Sequence, residues 1–178
     1  MCMNYMEPYK MNNSGVGLVS INDKDFKIYL ESQITQYARD KIRAGTWNEN
    51  EAIDLSRESF AKLLPDGRKT VGHSIMTIID ETTTDKVGIL WVEWKNMEHK
   101  SSYIWDLVIY EKYRRRNYGT RALKSLEKMV KDRGISSITL HVFGHNKPAV
   151  SLYKSLGYFC TDMIIKKGIV TENSVNYL

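Results

Sequence analysis

A chain of 178 residues with 42% hydrophobic and 26% charged residues has the size and make-up of one globular domain, which excludes a disordered chain and a coiled coil. The formal charge of +5 is concentrated: Glu111 to Arg133 holds nine basic residues against three acidic ones, a surplus of six, so the remainder nets −1. That pattern describes one local anion site and argues against a general nucleic-acid coat. The longest apolar run, Ile89-Leu90-Trp91-Val92, is far too short to cross a bilayer, and MCMNYMEPYK lacks the apolar core of a secretory signal. Cys2 and Cys160 form neither a disulfide framework nor a CxxC pair, so a reducing cytoplasmic setting is expected.

In chain order, residues 1–14 are polar and Met-rich and read as a flexible tail before a single domain over 15–178. A short β-like run over 16–21 precedes Asp23, an N-cap candidate for a helix to about Ala44. In that helix Phe26, Tyr29, Leu30, Ile34, Tyr37 and Ala38 form an amphipathic face, and Gly45 closes it. Asn48 and Glu51 have capping-box spacing, and Ala52, Leu55, Ser59, Phe60 and Leu63 carry the next helix to Pro65. Strands are predicted over 71–80 and 86–95, joined by a polar turn, and over 101–110. From Asn117 to Arg133 the 3.6 period returns with Leu123, Leu126, Met129 and Val130 on one face, ended by Gly134. A strand over 137–143, a helix over 147–156 stopped by Gly157, and a closing strand over 158–166 complete the chain. The order β-αα-βββ-α-β-α-β predicts one α+β domain, a mixed sheet of six to seven strands with about four helices.

The chemically informative stretch is strand, turn, helix: Leu107-Val108-Ile109, then Tyr113-Arg114-Arg115-Arg116-Asn117-Tyr118-Gly119-Thr120. A helix N-terminus leaves backbone N–H groups unpaired at the positive end of the dipole. Flanked by three arginines, such donors make a phosphate cradle, and a pyrophosphate suits it. No GxxxxGK[ST] occurs, so this is not a nucleotide-triphosphatase loop. Gly15-Val16-Gly17 precedes a strand and lacks a third glycine, so the dinucleotide fingerprint also fails.

This arrangement resembles the GNAT superfamily, the acetyltransferases related to the general-control histone acetylases. Their R/Q-x-x-G-x-G/A signature reads here Arg114-x-x-Asn117-x-Gly119, followed by Asn146-x-x-Ala149-x-x-x-Tyr153-x-x-x-Gly157-Tyr158. The likeness is good over 71–167 and strongest over 104–158, and residues 37–70 are similar to small uncharacterised bacterial members. It implies acetyl-CoA as co-substrate and no metal. Backbone groups of Leu107, Val108 and Ile109 would bond the pantetheine arm like an added strand. Arg114, Arg115, Arg116, Asn117, Tyr118, Gly119 and Thr120 would hold the pyrophosphate, chiefly through main-chain N–H. Asn146 would contact the pantetheine or acetyl end, and Tyr153 would protonate the departing thiolate. Glycine is usual in the family at the positions of Arg115 and Asn117; asparagine tolerates the left-handed region best among the alternatives.

Acetyl transfer to an amine by direct attack in a ternary complex needs a neutral nucleophile, an oxyanion donor and an acid for the thiolate. Asp106 and His141 rank equally as the base, with Glu93 behind, and a backbone N–H near Ile109 is the candidate oxyanion donor. Each has a plainer reading. Tyr153 shares a stripe with Ala149, Leu152 and Leu156, Asp106 can be a buried loop cap, and His141 a satisfied strand histidine. His141 and His145 lack helical ligand geometry, so no metal is expected. Two other classes compete: a CoA-binding module with a dead site, and a distant nucleic-acid binder using 111–133. The amine acceptor is unspecified, no membrane partner is expected, and oligomeric state is open, a homodimer included.

Overall fold

Trp91 and Val92 are both fully buried although they are adjacent on a strand, because the sheet carrying them is covered on both faces. A computed structural model describes residues 15–94 and 101–167 of the chain; the expected tail over 1–14, the end of the 86–95 strand and residues 168–178 lie outside the described residues. Five strands, β1 (Val16–Ser20), β2 (His73–Asp80), β3 (Lys86–Trp94), β4 (Ser101–Ile109) and β5 (Ser137–Leu140), are ordered β1-β2-β3-β4-β5. The first three pairings are antiparallel and β4–β5 is parallel, giving the mixed sheet expected.

Helices α1 (Asp23–Arg43) and α2 (Glu49–Leu63) cover one face, where Phe26, Tyr29, Ile75, Ile89 and Trp91 form a core. Helices α3 (Tyr118–Asp132) and α4 (Lys147–Ser155) cover the other. There α3 buries Leu123, Leu126 and Met129 completely against Leu18, Met76, Leu90 and Ile104. Each such side chain contributes about 2 kcal/mol, so α3 is fixed by packing along its whole inner stripe. Glycine follows α1, α3 and α4 as the sequence predicts. Beyond α4, for example, Gly157 is at φ +88 and donates to the Lys154 carbonyl, while Tyr158 N–H donates to that of Tyr153.

The caps differ in detail. Asn22, not Asp23, caps α1, its Oδ1 accepting from Asp25 N–H at 2.8 Å. Asn48 does precede α2, but its amide reaches the Glu51 carboxylate at 3.3 Å and makes no side-chain cap bond.

Two departures matter for the site. First, no strand forms over 158–166: Phe159, Met163, Ile164 and Ile165 are 68–94% exposed, and among the described residues the sheet has five strands. β-propensity makes that segment extended but supplies no partner, and strands are stabilised by partners. β5 also stops at Leu140, so His141 lies beyond it. Second, β4 is bulged. Trp91 pairs with Asp106 but Val92 pairs with Ile104, which leaves Trp105 as the extra residue. Strict alternation would turn Asp106 toward α3 with Ile104. The bulge breaks the parity: Ile104 and Leu107 face the α3 core, while Trp105 and Val108 face α1 and α2.

Candidate active site

The segment after β4 is arranged for an anion by its backbone. Arg115 (φ +61) and Asn117 (φ +64) both adopt the left-handed conformation that glycine would take without strain. Alternating left- and right-handed residues turn successive N–H groups toward one concavity. Asn117 precedes α3 without a side-chain cap bond, and the first turn of α3 carries no acidic residue, so its N–H groups and positive end face outward uncompensated.

The three arginines divide their work. Arg114 Nε donates to the Ile109 carbonyl at 3.1 Å and so ties the loop back to the end of β4. Arg115 and Arg116 are exposed. Tyr118 contributes backbone only, since its hydroxyl donates to Asp80 Oδ2 at 2.5 Å and its ring lies 4.3 Å below the Arg121 guanidinium. Gly119 lets α3 and α4 approach closely: a Cβ there would meet Leu152 Cδ2 at 3.0 Å.

Beside this loop the edge of β4 is only partly paired. β5 pairs with β4 only over Ser101–Ile104, so the stretch from Asp106 to Ile109 bonds to β3 on one side and, among the described residues, has no strand on the other. Leu107, Val108 and Ile109 are thus placed to accept an extended arm by strand-like pairing. An acyl-pantetheine pyrophosphate fits this set of groups: backbone donors at one end, an unpaired strand edge at the other. Asn146, however, caps α4 by accepting from Ala149 N–H at 3.3 Å, so its side-chain oxygen is engaged in the helix.

Asp106 lies on the stretch of β4 that β5 does not pair. The Tyr29 hydroxyl of α1 donates to its Oδ2 at 2.8 Å. Burial pushes the carboxyl up to about 6, opposed by hydrogen bonds from Tyr29 and the Leu107 N–H and assisted by the negative charge of Asp40. Tyr153 of α4 is half-buried, its ring 5.5 Å from that of Tyr158. Burial, then the nearby charge of Asp106, keeps its phenol protonated far above neutral pH. The Asp106 carboxyl is thus near enough to act electrostatically on the protonated phenol of Tyr153.

His141 is less well placed. It is exposed beyond β5, its ring edge-on to Phe143 at 4.9 Å, and its pKa is lowered by desolvation and by Lys41. Glu93 is half-buried on the α1/α2 face and accepts from Trp105 Nε1 at 3.0 Å. Among the described residues no cluster has metal-ligand geometry. Three residues outside the predicted set also belong to this region: Tyr29, Asp40 and His145, the last with its Nε2 2.8 Å from Asp40 Oδ1. The spacing of Tyr29 and Asp40 was a usable signal, because eleven residues is close to three helical turns and places both on one face.

Comparison with known proteins agrees with this geometry. Residues 20–158 match the model of the acetyltransferase (GNAT) family. The chain is 35% identical over 153 residues to the uncharacterised N-acetyltransferase YycN of Bacillus subtilis (strain 168), covering 84% of this chain and 96% of that protein. The crystal structure of YycN superposes with a TM-score of 0.83 at 32% identity, covering 88% of this chain and 99% of that one. The fold is also shared with spermidine N-acetyltransferase from Vibrio cholerae, solved with CoA and spermine (TM-score 0.62, 14% identity, 89% of each chain). Among the described residues no helix is long and apolar enough to cross a membrane. With the family match spanning most of the chain and the relative covered almost whole, the protein belongs to the acetyltransferase (GNAT) family and transfers an acetyl group from acetyl-CoA to an amine.

Proposed function

We propose that Asp106 is the general base and Tyr153 the general acid of a direct transfer from acetyl-CoA to an amine, both substrates bound together. The observation that carries this reading is the bulge in β4, which turns the Asp106 carboxylate toward α1 beside the unpaired edge of the same strand. With its carboxyl pushed up to about 6, Asp106 is mostly ionised at neutral pH yet basic enough to take a proton from an ammonium acceptor. Tyr153 holds its proton at the same pH and gives it to the departing thiolate.

Main-chain N–H groups of 115–120 hold the pyrophosphate, Arg115 and Arg116 add positive field, and the free edge of Leu107 to Ile109 aligns the pantetheine. A backbone N–H near Ile109 donates to the developing oxyanion. Acetyl-CoA supplies the activated acyl group, and the chain supplies position and protons. Asn146 acts through the start of α4, consistent with its cap bond.

The acceptor approaches over the α1/α2 face. There Tyr103 and Trp105 (centroids 4.8 Å apart) border Glu93, an aromatic and acidic wall suited to a cationic amine. The reaction belongs in the reducing cytosol, where Cys160, exposed and free, is compatible. The test is thiol release against pH with a panel of amines. An acid limb near pH 6 that disappears in Asp106→Asn is expected. Acetyl-CoA binding without thiol release from any amine would favour a non-catalytic module instead.

A further inference from the structure

The loop between β5 and α4 is fastened to a helix from the opposite layer. His145 donates from Nε2 to Asp40 Oδ1 at 2.8 Å, and both side chains are largely buried, at 20% and 24% exposure. Gln36 Nε2 holds the other oxygen of Asp40 at 3.1 Å. The His145 ring stacks on Phe143 (5.3 Å, 15°), and Phe143 leans on Tyr37 of α1 at 6.3 Å, so the contact is packed as well as hydrogen-bonded. His145 immediately precedes the α4 cap Asn146, and its own carbonyl accepts from Lys147 N–H at 2.9 Å.

α1 therefore grips the site twice from one face. Tyr29 holds Asp106, and three turns later Asp40 holds the residue that starts the helix bearing Tyr153. An isolated nine-residue helix has little stability of its own, so its placement depends on such tertiary ties. We propose that the Asp40–His145 pair is a latch that positions α4, and hence Tyr153, relative to Asp106, making both members positioning residues for acetyl transfer. This rests on the acid and base roles given above. A helix moved by about 1 Å loses alignment for proton transfer while leaving the phosphate cradle of α3 intact.

The experiment is a double-mutant cycle on Asp40→Ala and His145→Ala, read by kinetics and by hydrogen exchange of residues 141–156 in the full chain. Each single change is expected to lower kcat about tenfold with KM for acetyl-CoA unchanged, and to speed exchange through α4 about tenfold. The double variant is expected to match either single one. His145→Gln, whose amide can donate to Asp40, is expected to recover part of the loss, which a general packing role would not give. Additive effects, or unchanged exchange in 141–156, overturn the latch. If the wild type itself releases no thiol, the acid and base roles fail, and exchange alone still decides whether the pair holds α4.

Discussion

The loop at 114–120, proposed as the phosphate cradle, and the side chains around Asp106, proposed to move protons, are assembled differently. The cradle is contiguous. Its shape comes from two left-handed residues, the free start of α3 and one short tie from Arg114 to Ile109. The other half gathers Tyr29, Asp40, Asp106, His145 and Tyr153, with Asp40 and His145 105 residues apart. Backbone geometry tolerates side-chain change, which explains how Arg115 and Asn117 occupy positions where glycine is usual. Proton transfer depends on individual side-chain atoms and tolerates no such exchange.

Substitutions test this contrast. The largest effect is expected from Asp106→Asn, which should lower turnover by about 10²–10⁴ while acetyl-CoA affinity, measured calorimetrically, stays within about twofold. Stability should respond with the opposite sign. The native state holds the Asp106 proton more tightly (about 6) than the ordinary value of 3.8, so this group costs stability as pH rises through that window. Thermal melts should therefore favour Asp106→Asn at pH 8, with the advantage vanishing below pH 4. Tyr153→Phe comes next: about a hundredfold lower kcat, acetyl-CoA binding retained, and no thermal penalty beyond a degree or two, since among the described residues no hydrogen bond to its hydroxyl is lost. Unchanged turnover would remove the acid role.

In the cradle the affected quantity is affinity. Gly119→Glu places a side chain against Leu152 and a negative charge at the helix start, and is expected to weaken acetyl-CoA binding at least tenfold by calorimetry. Arg115→Gly is the smallest change. Relief of the left-handed conformation should add about 1 kcal/mol, or a rise of about 2–4 °C in Tm. Its effect on acetyl-CoA affinity should be largest at low salt, because the lost contribution is field and not backbone geometry. If Arg115→Gly abolished binding, the cradle would depend on side chains and the contrast would fail.

Much of this was legible from the sequence. The 3.6 period of 117–133 and its terminal glycine located α3, and the strand-turn-helix pattern located the cradle, because helix starts and caps are set by neighbours within a few residues. Tyr153 is on the predicted helix and Asp106 on the predicted strand. Which of them share a space was not legible. Asp106 gains its orientation from a bulge that alternation cannot reveal. His141 falls in the strand predicted over 137–143, yet β5 ends at Leu140 and leaves it exposed.

The sequence by itself therefore marked most of the elements, the family and the loop proposed to bind the anion, all products of short-range spacing and backbone conformation. Tertiary structure alone decided the partners: Tyr29 on Asp106, Asp40 on His145, and the absence of a strand where 158–166 has the composition for one. The physical reason is the same in each case. A hydrogen bond between distant side chains, or a place in a sheet, is a property of two segments, and neither segment's own sequence specifies the other.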